Sequence, residues 1–462
     1  MSARAADVVL PSHIPSASAC SYPVRSGNLL RALIDGEPAF RRICEAVEAA
    51  QKSVWVTVAF LYPDFRLPDG HGTVFDLLDK AKARGVDVRV IFWRTDRKDS
   101  LHFHGTPVDH DMLAARGSRF LARWDRAQKH YCQHQKSWLI DAGTDAEVAF
   151  VGGINLDPMS VSPPGHEGRD GEHIHDVYLE LRGPSASDVH HNFAQRWNEA
   201  SEHKNEHGAW PDGSNDAMLA FPQRLSAPAG NSIVQMQRTV RGGHYFDGRA
   251  APGGEPYDIG KGEFSVFEQY VTAIDAAKRT IYIEDQYVAS PDIIEHLHAA
   301  LARGVSVIYL VPADPEVQVK DARRKGTAQA FFERVAALAA FENFAMVGIA
   351  APQSDGRLEA VYVHAKIMMI DDCWATIGSC NIASQSFFCD TELNAAIWDE
   401  DFTRDLRSTL LQEHLGIDTS RMEDRDAMRL YREAARENAQ RRHRGEKMNG
   451  MAFALDPAMY GM

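Results

Sequence analysis

An α/β fold made of two copies of one unit is predicted by three features of the 462-residue chain. FRRICEAVEAAQKSVWVTVAFLYP (40–63) aligns with FEQYVTAIDAAKRTIYIEDQYVAS (267–290) at an offset of 227, and each reads as an amphipathic helix followed by a strand rich in β-branched and aromatic residues. A second helix and strand follow in each copy, TVFDLLDKAKARGVDVRVIFW and IIEHLHAALARGVSVIYLVP, at an offset of 219. There Arg84-Gly85-Val86 and Arg303-Gly304-Val305 mark the same helix exit, with glycine where a left-handed turn is needed. A His-x-Lys segment then recurs at an offset of 230. Three landmarks in the same order imply internal duplication.

The later strands match as well: HQKSWLIDA, EVAFVGGIN and HDVYLELRG against VHAKIMMIDD, CWATIGSCN and TELNAAIWD. Alternating helices and apolar strands predict a sheet covered on both faces. The expected organisation is a first half at 28–205, connecting loops at 206–262, a second half at 263–418 and a helical tail at 419–462. Within the connection, 203–230 and 247–262 are rich in Gly, Pro, Asn and Ser. The stretches 94–112 and 157–175 read as long insertions that rim an active site. The charged segment from Asp424 to Arg444 reads as a packed or solvated helix rather than a nucleic-acid arm.

Bulk properties narrow the function. With 44% hydrophobic and 25% charged residues the composition is that of a soluble globular protein. No apolar run is long enough to cross a bilayer, and Val8-Val9-Leu10 is too short for a signal-peptide core. The expected location is therefore the cytoplasm, or outside the cell by a route that needs no ordinary signal or after processing. The net charge of −14 argues against broad nucleic-acid or anionic-membrane binding. The six cysteines lack paired C-x2-C spacing and read as free buried thiols, not as zinc ligands.

The chemistry rests on His134/Lys136/Asp141 and His364/Lys366/Asp371. On a strand, residues i and i+2 project together, so each His shares a face with its Lys while Gln135 and Ala365 face the opposite layer. An imidazole beside an ammonium suits a phosphate group: the histidine attacks or protonates and the lysine neutralises negative oxygens. Gly152-Gly153-Ile154-Asn155 and Gly378-Ser379-Cys380-Asn381 follow, combining close backbone approach with hydrogen-bonding side chains. Two half-sites result, each with His, Lys and Asn.

H-x-K-x4-D followed by G-[GS]-x-N, present twice, resembles the phospholipase D superfamily, and the likeness runs from Phe40 to about Trp398. SVWVTVAFL, Ser384-Gln385-Ser386-Phe387 and HDVYLELRGP extend it, the last in the manner of the phospholipase and cardiolipin-synthase branch. One such motif is a weak signal; two inside a duplicated pattern are a strong one. The resemblance implies two α/β halves packed as a pseudo-dimer with the active site at their interface. It also implies a covalent phosphohistidine: His134 attacks phosphorus, His364 protonates the leaving alcohol, and water or another alcohol then attacks. In the family a carboxylate downstream of the Asn holds the imidazole, which points to Asp176 for the first half and Glu392 for the second. Asn155 and Asn381 are expected to contact phosphate, as is Ser379, while Asp141, Asp371, Gly152, Gly153 and Gly378 are expected to be structural.

His102, His104 and His110 with Asp109 and Asp111 could suggest a metal site, but a solvated loop is the favoured reading. No metal or cofactor is expected, because two lysines supply the positive charge. His173 and His175 fit either the entrance of the site or a surface loop. Phe387-Phe388 fit a lipid contact or the core equally, and Arg323-Arg324-Lys325 an exposed helix start. The favoured function is a phospholipase D acting on phosphatidylcholine-like lipids, with water or alcohol as acceptor and peripheral contact with a membrane or micelle. A nuclease is disfavoured by the acidity, an idle phosphate binder by the intact His and Lys pairs. A cardiolipin synthase-like phosphatidyltransferase stays close to the favoured reading. A monomer is expected, because duplication removes the need for a dimer.

Overall fold

Each half builds the same sheet from the same local rules. Thr73 caps the helix Val74–Ala83 by accepting from the Asp76 N–H while Asp76 answers to the Thr73 backbone, a reciprocal capping box. Gly85 and Gly304 end this helix and its counterpart Pro291–Ala302 with φ of 90° and 88°, the left-handed region that the spacing demanded. The strands Ser53–Val58 and Thr280–Asp285 are buried along their whole length, as strands covered on both faces must be. The computed structural model describes residues 8–95, 102–167, 171–213 and 217–462; parts of both insertions, 96–101 and 168–170, lie outside the described residues.

In the first half the strands run in the order Arg25–Ile34, Val177–Arg182, Val148–Gly152, Ser137–Ile140, Ser53–Val58, Asp87–Arg94, Leu121–Arg126 and Ala209–Trp210. The second half repeats it: Ser232–Arg241, Glu392–Trp398, Trp374–Gly378, Lys366–Ile370, Thr280–Asp285, Ser306–Leu310, Phe344–Pro352 and Ala452–Leu455. The sense of pairing repeats too. Ser53–Val58 is parallel to Asp87–Arg94 and antiparallel to Ser137–Ile140, as Thr280–Asp285 is to Ser306–Leu310 and Lys366–Ile370.

Three elements differ from the sequence reading. Ser232–Arg241 lies within the segment read as connecting loops, yet it is a ten-residue strand that pairs with Glu392–Trp398 and, at Arg25↔Val234 and Asn28↔Ser232, with the first half. Its polar Gln235, Gln237, Arg238 and Thr239 are buried, which hid the expected apolar alternation. The tail is more than a helix: after Asp424–His443 it returns as the strand Ala452–Leu455, in the place that Ala209–Trp210 fills in the first half. Part of the first insertion is the helix Pro107–Arg116, started by a Thr106/Asp109 capping box.

Each half has its own outer core, and a third core lies between them. This inner core joins Trp55, Leu139, Val151 and Leu179 to Met236, Ile367, Ile377 and Ala395, with apolar residues of the helices Ala186–Glu199, Glu400–Leu415 and Asp424–His443. The halves therefore pack face to face through a shared apolar layer. Among the described residues no helix is long and apolar enough to cross a membrane.

Candidate active site

The two histidines are not on strands. His134 precedes Ser137–Ile140, and His364 lies between Leu358–Val363 and Lys366–Ile370, with Lys366 opening the latter strand. Each is instead seated by a backbone contact with the other half: His134 N–H donates to Thr391 O at 3.1 Å and His364 N–H to His175 O at 2.8 Å. Parallel pairing of Tyr362 with Ile174 and of Val363 with His175, and a parallel bridge between Gln133 and Thr391, make these contacts continuous.

This docking exchanges the carboxylates. Glu392 lies 2.9 and 3.0 Å from His134 Nδ1, and Asp176 lies 2.5 Å from His364 Nδ1. The expectation that each half supplies the carboxylate for its own histidine is corrected: residues 391–392 run alongside 133–134, and 174–176 alongside 362–364, so each acid belongs to the opposite half. All four groups are buried, the two histidines being 6% exposed.

Lys136 Nζ donates to His134 O at 2.9 Å, and Lys366 Nζ donates likewise to His364 O. These bonds leave the remaining ammonium protons for a ligand. The Asn155 and Asn381 carboxamide oxygens are buried without a hydrogen-bond partner. Gly153 is needed where it stands, since a Cβ there would come within 2.5 Å of Asp176 Oδ1 and 2.9 Å of Lys366 Cδ. Gly152 and Gly378 would likewise collide with Val177 O at 2.3 Å and Asn394 Oδ1 at 2.2 Å. Lys366 from the second half thus lies against Gly153 and Asp176 of the first: the two motifs form one site.

Electrostatics fit phosphoryl chemistry. Burial pushes both carboxyls up, opposed by the lysine charges, Asp176 to about 7 and Glu392 to about 8. Burial pushes both histidines well down, each helped by the lysine of its own motif. Burial also lowers Lys136 to about 8, with Glu392 opposing and Lys366 assisting. Each His–carboxyl dyad therefore gives up a proton near neutrality as a unit. Without it the imidazole keeps Nδ1–H on the carboxylate and presents a bare Nε2; with it, Nε2–H is an acid.

Other expected residues fall elsewhere. Ser379 is buried, donates to Glu392 Oε2 at 2.6 Å and accepts from Leu393 N–H at 3.1 Å, so it holds the carboxylate rather than a phosphate. Asp141 accepts from the N–H groups of Gln51, Lys52 and Ser53, and Asp371 from those of Lys278, Arg279 and Thr280. Both are structural, but they brace the entry into an earlier strand rather than only their own turn. His104 and His110 are buried, His110 against Trp124, so the solvated-loop reading fails for them. His173 and His175 are buried as well, so the surface-loop reading fails for them. Phe387 belongs to the core beside Phe267 and Tyr270, and Arg323, Arg324 and Lys325 end a helix instead of starting one. The cysteines are free, four of the six buried.

The sequence reading missed the layer beneath the site. Arg196 donates to Gln133 and Gln135 on either side of His134, Asn192 donates to Gln135, and Gln135 donates to Glu392 O at 3.0 Å. Thr391 Oγ1 donates to Gln133 at 2.6 Å. The signal was present in AQRWNE, a helix end carrying more polar residues than an inner helix affords. The halves also differ: Phe60 lies under Lys136, 5.6 Å from Nζ to the ring centre, whereas Asp285 pairs in register with Lys366.

Comparison with known proteins agrees with the duplicated fold. The family model described as "Cardiolipin synthase, PLD-like domain" matches residues 43–197 and 270–413, one match per half, and "Phospholipase D" matches 163–305. Cardiolipin synthase A of Pseudomonas aeruginosa is 24% identical over 84% of the chain and 67% of its own length. Phospholipase D alpha 2 of Oryza sativa subsp. japonica is 24% identical over 81% of the chain and 61% of its own length. The crystal structure of phosphatidylserine synthase from Haemophilus influenzae Rd KW20 covers 90% of the chain and 94% of its own length, with a TM-score of 0.55 at 13% identity, a likeness of fold.

Proposed function

The chain belongs to the phospholipase D superfamily of enzymes acting on phosphodiester bonds, and from that premise we propose that it cleaves the head-group phosphodiester of glycerophospholipids and passes the phosphatidyl group to water or an alcohol. The observation that carries the reading is the pair of buried His–carboxyl dyads, each with its own lysine, meeting in one site. His134 Nε2 attacks phosphorus while His364 Nε2–H protonates the departing alkoxide, giving a phosphohistidine and a free alcohol. The acceptor then attacks the same phosphorus as His364 removes its proton, and His134 leaves. Lys136, Lys366, Asn155 and Asn381 hold the non-bridging oxygens, whose charge grows in both steps. Hydrolysis of a phosphatidylcholine-like lipid to phosphatidic acid, with transphosphatidylation when an alcohol competes with water, is the primary reading.

A cardiolipin synthase-like phosphatidyltransferase is the second, favoured by the names of the family model and of several relatives. Phosphatidylcholine with ethanol should yield phosphatidic acid and phosphatidylethanol. Phosphatidylglycerol alone separates the readings, since conversion to cardiolipin in excess of phosphatidic acid makes the enzyme a transferase. Degradation of DNA with every lipid untouched would overturn both. His134→Asn and His364→Asn should each lower turnover by at least about a thousandfold. A labelled phosphoenzyme should accumulate in H364N and not in H134N; the reverse exchanges the roles.

A further inference from the structure

Behind the His364–Asp176 dyad lies a second cluster that the chemistry above does not use. Asp35 follows the strand Arg25–Ile34, His166 lies in the second insertion, His175 directly precedes Asp176, and Glu413 comes from the helix Glu400–Leu415 of the other half. One ligand atom from each of the four lies within 4.8 Å of the other three. Asp35 Oδ1 is 2.9 Å from His175 Nδ1 and 3.4 Å from His166 Nε2, while Glu413 Oε1 is 3.6 Å from His166 Nε2 and 3.9 Å from His175 Nδ1. Four ligands each about 2.1 Å from a tetrahedral ion sit about 3.4 Å apart, and the observed edges bracket that spacing.

We infer that Asp35, His166, His175 and Glu413 form a site for one tetrahedral divalent transition-metal ion of the zinc type. Once an ion displaces the proton that Asp35 and Glu284 hold on His175, two imidazoles and two carboxylates match the charge and the donor preference of such an ion. The side chains of Asp35, His166 and His175 are fully buried, yet among the described residues neither ring nitrogen of His166 makes a well-formed hydrogen bond, nor does Asp35 Oδ2. Buried polar atoms are rarely left so, and an ion on His166 Nε2 would satisfy the one that faces the cluster. The surroundings have the outer shell of a metal centre. His175 Nε2 is 3.0 Å from Glu284 Oε2, and Glu284 Oε1 accepts from Tyr282 Oη at 2.6 Å. His175 Nδ1 is hydrogen-bonded to Asp35 Oδ1 at 2.9 Å, a contact that a bound ion would replace, and Glu284 on the far nitrogen would then hold the tautomer that ligates through Nδ1.

The site is structural rather than catalytic. Asp35 N–H donates to Asp176 O at 2.8 Å, and His175 O accepts from His364 N–H at 2.8 Å, so two ligands grip the backbone of the dyad from behind. Glu413 brings in the second half and accepts from Gly165 N–H at 2.9 Å, which ties down the insertion. A bound ion would cross-link both halves and the loop at one point.

Metal analysis of the full chain purified from zinc-containing medium tests this, with readouts independent of turnover and hence of the substrate assigned above. About one zinc per chain is expected, lost in His166→Gln and Glu413→Gln but kept in His110→Gln. The last variant controls for a separate group, His110, His207 and Asp212, and loss in H166Q excludes binding by His175, Glu284 and His414 alone. Cobalt added to chelator-stripped wild-type protein should give the visible absorption of a tetrahedral centre, and stripping should lower the melting temperature of the wild type but not of H166Q. Wild-type protein that holds no zinc and gives no cobalt spectrum overturns the inference. So does zinc retained in H166Q or lost in H110Q alone.

Discussion

At the scale of single residues, the decisive feature is which acid serves which base. His134, Lys136, His364 and Lys366 were legible because the duplication repeats them, and Asp176 and Glu392 because the family resemblance implies a carboxylate downstream of each Asn. Their partnership was not, because spacing along the chain says nothing about the docking of two halves, and it is the docking that brings Glu392 to His134. Glu392→Gln should slow formation of the phosphohistidine, whereas Asp176→Asn, which disables the proton donor, should let it form from an activated substrate with a good leaving group and then persist. Rapid-quench measurement of labelled enzyme separates the two; persistence in E392Q instead of D176N would mean uncrossed roles. The dyads also set a pH signature. In the folded chain their second proton leaves at about 7 to 8, raised above an unfolded histidine near 6.5, so the native state binds more protons between those values. Stability from this source is present at about pH 6.5 and is lost as the pH rises through about 8. The melting temperature of the wild type should therefore fall by a few degrees over that interval relative to D176N/E392Q, and parallel curves would refute the titration.

At the scale of elements, Asp141 and Asp371 show why a motif residue need not touch the reaction. Each adopts φ of 54° just past its strand and turns its carboxylate onto three consecutive N–H groups where a helix gives way to the strand beside it. Those N–H groups lie where the chain enters a buried strand, so the aspartate is a cap for a strand entry. Their structural role was readable from the motif, but the target of the cap, about ninety residues upstream, was not, since nothing in D-x-G or D-D names it. Asp141→Ala should cost on the order of 3 kcal/mol in urea unfolding, with Asp141→Asn recovering part of it. Turnover per folded molecule should stay within about twofold of wild type. A loss of turnover without a loss of stability would return Asp141 to the reaction. The same limit applies to Ser232–Arg241 and Ala452–Leu455: their polar or terminal residues are buried only because a partner strand exists elsewhere, which local alternation does not reveal.

At the scale of the whole molecule, the shared inner core and the exchanged acids make the two halves one catalytic unit. Duplication and the α/β alternation were visible in the sequence, since both are repeated local patterns. The face that each half turns to the other was not, because a strand buried on both sides reads the same whether its second cover is a helix of its own half or the sheet of its neighbour. The inner core joins Trp55 and Leu139 to Ile367 and Ala395, and Arg25↔Val234 and Asn28↔Ser232 extend the contact along the backbone. An apolar interface of this kind should outlast a break in the connection. Residues 223–225 are exposed and lie outside any helix or strand, so a protease site placed there should be cut without disturbing either sheet. The nicked protein should elute as a single particle of unchanged size and keep its turnover within about twofold. Each half produced alone should be inactive whatever its state of folding, because the first then holds His134 without Glu392 and the second His364 without Asp176. Mixing the refolded halves should restore activity in proportion to the complex formed. Activity in an isolated half, or separation of the nicked halves on the column, would show that the exchange of acids across the interface is not what holds the site together.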